Sequence, residues 1–222
     1  MAKDNKKASA EATVEALSKT ENFFKKYGKA LSALLIIVLL AGAAVFGWYK
    51  FAYLPEVEEA AEKTVVAENN FIAGDFEFAV NGDGDIMGFN QIIEEYGSKA
   101  PESVHLYAGI AELQNGNWEL AIEHLKKYEG EEPILKARAL ACIGHAYVEL
   151  EQYENALASF ESAANVADNN FAASYLLNAG VVAEKLGKND KALACYKKIK
   201  DQYPQSMEGY DIDKYIGRIE NK

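Results

Sequence analysis

The sequence predicts an all-α chain: one N-terminal transmembrane helix, then an α-solenoid of helix pairs closed by a C-terminal capping helix. Three observations carry this. Twenty consecutive residues, Ala30 to Tyr49, hold no charge and are bracketed by Lys29 and Lys50. Three later segments repeat a turn followed by a helix at intervals of 35 and 36 residues, a period that belongs to stacked helical hairpins. No segment shows the apolar–polar alternation of a strand.

At 1.5 Å per residue a twenty-residue helix spans roughly 30 Å, the thickness of a bilayer's hydrocarbon core. Charge is divided unevenly around it. Residues 1–29 hold seven Lys against four acids, whereas residues 51–222 hold 15 Lys plus Arg against 30 Asp plus Glu. A Lys/Arg excess beside a span stays on the cytoplasmic side, which puts the N-terminus inside and the acidic body outside. Residues 1–20, rich in Ala, Lys and Glu, read as a disordered or loosely helical tail. Phe23 and Phe24 with Lys25, Lys26 and Lys29 form the flank at the inner headgroups. Ala41-Gly42-Ala43 fits a leader cleavage site, but the apolar run continues through Val45-Phe46-Gly47-Trp48-Tyr49. Trp48, Tyr49 and Tyr53 then supply an outer aromatic belt, for which a cleaved leader has no use, so the span is expected to be retained. Ala43 and Gly47 make one small-xxx-small pair, which permits close approach of two spans.

Pro55 suits the first turn of a new helix. Val57, Ala60, Ala61, Thr64, Val65, Phe71 and Ile72 are expected to share its inner face, and Gly74 to end it. Gly74-Asp75-Phe76-Glu77-Phe78-Ala79 opens an altered unit interrupted by the turn-forming insert Asn81-Gly82-Asp83-Gly84-Asp85, with a helix resuming at Gly88 and stopping at Gly97. Gly116-Asn117-Trp118-Glu119-Leu120-Ala121, Glu151-Gln152-Tyr153-Glu154-Asn155-Ala156 and Gly187-Lys188-Asn189-Asp190-Lys191-Ala192 are the three regular turns. Twelve residues before each closing alanine stands a glycine (Gly109, Gly144, Gly180), and four after it a large apolar group (Leu125, Phe160, Tyr196). Pro133 and Pro204 follow their alanines by twelve; Asp168 holds the equivalent place in the middle unit. This pattern resembles the tetratricopeptide repeat, in which small residues let two antiparallel helices pack closely and a proline ends the unit. The expected organisation is a tail (1–29), a span (30–53), a degenerate unit (54–101), three repeats (102–136, 137–172, 173–206) and a cap (207–222), whose Ile212, Tyr215, Ile216 and Ile219 cover the last apolar face.

The sequence offers no catalytic constellation, so no enzyme activity and no cofactor are expected: there is no nucleophile elbow and no phosphate loop after a strand. His105, His124 and His145 lack metal-ligand spacing and read as solvated helix-face residues. Cys142 and Cys195 lie inside apolar helical patterns and read as small buried hydrophobes, not a disulfide. Asp83, Asp85 and Glu94 match positions one, three and twelve of a calcium loop, with Gly88 at six, but Met87 at position five cannot ligate and a plain turn explains the insert equally well. An acidic body without a basic stripe argues against nucleic acid.

If the repeat resemblance holds, the first helix of each unit lines a concave groove. Its lining is expected to include Leu106, Ile110 and Leu113, then Arg138, Ala141, His145 and Val148, then Ser174, Leu177, Val181 and Glu184. Such a lining suits an extended or helical segment of a protein or peptide, with apolar anchors and some positive charge. The repeats that clamp a chaperone's terminal carboxylate carry Lys and Asn where Leu106, Ile110 and Cys142 stand here, so that clamp is absent. Phe23-Phe24, Gly28-Lys29-Ala30-Leu31 and a span ending in Gly47-Trp48 resemble the ancillary subunit of the SecYEG translocon. That resemblance implies a bacterial inner-membrane protein with a periplasmic repeat domain, docking to the translocon and to periplasmic chaperones. A scaffold for outer-membrane or cell-wall assembly and a calcium-responsive module are the alternatives.

Overall fold

The computed structural model describes the backbone of residues 2–167 and 169–221, with side chains other than those of residues 2–16, Lys19 and Phe24. The expectations for Phe24, for Asp168 and for the side chains of the tail therefore lie outside the described residues. The described residues are helical throughout apart from turns and one isolated bridge. The chain forms two compact units, Met1–Pro55 and Glu56–Lys222.

In the first unit, helix α1 (Ala2–Trp48) includes the tail, which is helical, and contains a segment long and apolar enough to cross a membrane. Leu34 to Leu40 are all exposed. A π turn, Tyr49–Tyr53, follows, with the Leu54 N–H donating to the Tyr49 carbonyl. Pro55 stands in the first turn of the next helix, as expected, but no break precedes that helix. Its ring has no N–H for the Phe51 carbonyl and would crowd it, and widening the preceding turn by one residue removes that conflict. The wider turn also gathers three aromatic rings: Tyr49 stacks on Tyr53 at 5.6 Å, and Trp48 lies 5.7 Å from the same ring.

The second unit begins on α2 (Leu54–Ala73) and continues through α3 (Phe76–Asn81) and α4 (Phe89–Tyr96). Three helix pairs follow: α5 (Ser103–Asn115) with α6 (Trp118–Lys127), α7 (Pro133–Glu149) with α8 (Tyr153–Val166), and α9 (Phe171–Lys185) with α10 (Asn189–Gln202). Helix α11 (Met207–Glu220) closes the series. The buried stripe of α2 is narrower than expected. Ala60, Thr64 and Ala67 are buried and Phe71 packs beside them, but Val65 and Ile72 are exposed. A spacing of four, three and four residues keeps one face inward; Val65 and Ile72 fall off that line.

The turn linking the two helices of a unit has one geometry in all four units. The N–H of Asp75, Asn117, Gln152 and Lys188 each reaches a carbonyl five residues back, at 2.8 to 3.0 Å. This closure needs a left-handed residue just before it. Gly74, Gly116 and Gly187 supply it with φ of 84°, 82° and 71°, while the middle unit uses Glu151 at φ 55°. A side chain in this region is strained where glycine is not. Glu151→Gly is accordingly expected to stabilise the protein by about 0.5 kcal/mol, after the entropy glycine adds to the unfolded chain. A raised urea midpoint with an unchanged m-value would show it.

The shared turn also makes α2 to α4 a true unit whose second helix is interrupted. Gly82 at φ 66° and a bridge to Met87 fold the insert back, and Gly88 donates its N–H to the Gln91 side chain to start α4. The closing alanines Ala79, Ala121, Ala156 and Ala192 are fully buried. Unit boundaries shift from those expected: Pro133 is the first residue of α7, with Glu132 capping it, so this proline starts a unit.

The largest core cluster draws on α7 through α11 and contains Phe160, Tyr196, Ile199 and Ile212. The glycine and the large residue sixteen positions on are what lock each pair. An added Cβ at Gly109 would stand 2.5 Å from Leu125 Cγ and one at Gly144 2.8 Å from Phe160 Cε1, with an even closer approach between Gly180 and Tyr196. Both cysteines are free thiols, Cys195 buried and Cys142 half-buried, as small-hydrophobe roles require.

Candidate functional site

Within the second unit, the first helices of successive repeats present side chains to a cavity of about 480 Å³. Ile110, Leu113 and Gln114 come from α5, Trp118 from the start of α6, and Tyr175 from α9. Helix α7 supplies Arg138, Ala141, Cys142, His145 and Glu149. Their spacing along α7 brings them round to one face, so the cavity floor is a single helical stripe. The site therefore has aliphatic and aromatic walls and a floor that carries a cation at one end and a carboxylate at the other.

Five of the expected groove residues, Ile110, Leu113, Arg138, Ala141 and His145, meet here. Leu106 does not: it is 2 % exposed and packs with Ile122 and Ile143 inside the core. Val148 and Leu177 lean against the C-terminal core cluster. Ser174 is half-buried and Val181 exposed on α9, and neither lines this cavity. Glu184 is not a groove acid, because it accepts the Tyr196 hydroxyl at 2.8 Å and pairs with Arg218 of α11. The cap has claimed it. Residues the sequence reading passed over are Gln114, Trp118, Cys142, Glu149 and Tyr175. Cys142 and Glu149 could have been found by stepping four and eleven residues along α7 from Arg138.

The histidines are not simply solvated. His105 and His124 sit on the two helices of one unit with their Nδ1 atoms 3.4 Å apart, and burial pushes both below the usual imidazole range. His145 packs edge-on to Phe160 at 4.9 Å, and burial lowers it as well, against the pull of Glu149. Groups whose folded pKa is depressed are protonated first in the unfolded chain, so their contribution is present above about pH 6.5 and lost as pH falls. The unfolding midpoint is expected to drop between pH 7 and 5.5. Replacing both His105 and His124 by Gln should flatten that drop, which melting curves at fixed ionic strength would record.

Of the calcium candidates, Asp83 is used by the local turn. Asp83 Oδ1 accepts the N–H of Asp85 at 3.2 Å and of Ile86 at 3.0 Å, closing the turn, and Glu94 stands inside α4. No group of three His, Cys, Asp or Glu side chains placed to hold an ion occurs among the described residues.

Residues 21–212 match the tetratricopeptide repeat-like domain. The chain belongs to that family. Two crystal structures of MamA are similar to this tetratricopeptide repeat-like chain. One has 20 % identity and a TM-score of 0.52, covering 70 % of this chain and 93 % of that one. The other has 21 % identity and a TM-score of 0.56, covering 72 % and 82 %. At that identity the likeness establishes the helical-repeat fold. None of the curated proteins compared with it matches the sequence. Tetratricopeptide repeat-like folds typically serve as protein-interaction modules, and the cavity between first helices is where such a fold offers its inner surface.

Proposed function

We propose that this chain is a non-enzymatic, membrane-anchored adaptor that holds a protein or peptide segment in the groove between α5, α7 and α9. The observation that carries the reading is the cavity itself, where Leu113, Trp118 and Tyr175 offer partly open apolar and aromatic surface beside Arg138 and Glu149. Pockets of this size and make-up take short segments by burying apolar anchors while a few polar groups fix their position. The uncharged stretch Ala30 to Tyr49 is the anchor, and the lysine-rich side before it favours a cytoplasmic N-terminus with the acidic repeats on the outer face of a bacterial inner membrane. The similarity of residues 22–50 to the ancillary translocon subunit supports partners among the translocon and periplasmic chaperones.

Photo-crosslinkers placed at Leu113 and Tyr175 in intact membranes, with the captured proteins identified, test this. Capture of translocon or chaperone components is expected from both positions. Capture only of outer-membrane or cell-wall assembly factors would replace the secretion assignment, and no capture from either position would end the groove reading.

A further inference from the structure

The charges on the α7 stripe give the groove a direction. Arg138 lies in the second turn of α7 and Glu149 is its last residue, eleven positions on, roughly 16 Å along the helix axis. Both are exposed, both line the cavity, and neither has an ion pair or hydrogen bond among the described residues. Glu149 also stands at the carbonyl end of α7, where the helix dipole disfavours a carboxylate, and its charge acts on His145 one turn back.

We infer that the groove takes an extended peptide segment in one orientation, its acidic side chain on Arg138 and its basic side chain on Glu149, with apolar residues between them. This rests on the groove reading above and adds the chemistry of the occupant. An extended chain advances about 3.3 Å per residue, so roughly five residues separate the two charges. The cavity holds about 480 Å³, room for a strip of side chains from a segment laid along it. Between the charged ends the apolar residues meet Ile110, Leu113, Trp118 and Tyr175. Exposed charges at the rim of such a site contribute register and orientation more than affinity.

The test uses the full chain in lipid nanodiscs and, as probe, a display library of random linear twelve-residue peptides. Enriched peptides are expected to share an acidic and a basic residue about five apart with apolar residues between, and to lose binding with Tyr175→Ala. A synthetic consensus peptide and its charge-exchanged version are then compared by fluorescence anisotropy. The wild type should prefer the consensus five- to tenfold, and the Arg138→Glu, Glu149→Lys double variant should prefer the exchanged peptide. Arg138→Gln and Glu149→Gln singly should each reduce the preference, with unchanged circular dichroism. Groove-dependent peptides without charge order, or a double variant that keeps the wild-type preference, would overturn this inference alone. No peptide sensitive to Tyr175→Ala would overturn the groove reading beneath it.

Discussion

Gly180→Ala is expected to lower the unfolding free energy by about 2 kcal/mol, roughly 4–8 °C in melting temperature for a unit of this size. Two effects compete. Alanine gains about 1 kcal/mol over glycine in a helix interior. Against this, its Cβ would enter the Tyr196 ring, which is fully buried and cannot swing aside because its hydroxyl donates to Glu184 at 2.8 Å. Overpacking a rigid contact typically costs 1–3 kcal/mol, and occasionally more, so the clash wins. The same substitution at Gly217 provides the control, since there a Cβ meets nothing nearer than 3.8 Å. Gly217→Ala should therefore stabilise by about 0.5–1 kcal/mol. Opposite signs from one chemical change, read by urea unfolding, would establish that the repeat glycines are kept for close packing. Equal signs would refute it.

Ile212→Ala in the cap should cost about 3 kcal/mol, the usual range for emptying a fully buried branched site. Ile212 is 1 % exposed and packs with Ile216 onto the cluster that contains Tyr196 and Ile199. Met207→Ala on the same helix should change stability by less than about 0.5 kcal/mol, because Met207 is 87 % exposed. The cap variant has a second readout. Cys195 is buried with its thiol pushed up by desolvation, so loosening α11 should speed its reaction with a thiol reagent in a Cys142→Ser background. Unchanged reactivity together with unchanged stability would show that α11 does not seal the last pair.

What could be read from the sequence was whatever depends on spacing along one helix pair. The sixteen-residue interval from Gly109, Gly144 and Gly180 to Leu125, Phe160 and Tyr196 is a local packing contact, and the structure makes each of them. Residues whose fate depends on a second element were harder to place. Glu184 has a groove-like position on α9, but whether it is open depends on Arg218, thirty-four residues later. Leu106 follows the same periodicity as Ile110, yet the packing of α7 covers it more completely. The histidine pair needed the antiparallel register of α5 and α6, which periodicity alone does not supply. The π turn before Pro55 left no compositional trace beyond the proline itself.

The identical turn in all four units carries a consequence for how the repeat body comes apart. In a linear stack each unit leans only on its neighbours, so opening is local and starts where the interfaces are weakest. Helix α11 closes one terminus with Ile212 and Ile216, while the opposite unit has its second helix divided by the insert into pieces of six and eight residues. Short helices have little stability of their own. Breathing should therefore begin at α2 to α4 and travel toward the cap, with amide protons exchanging in that order.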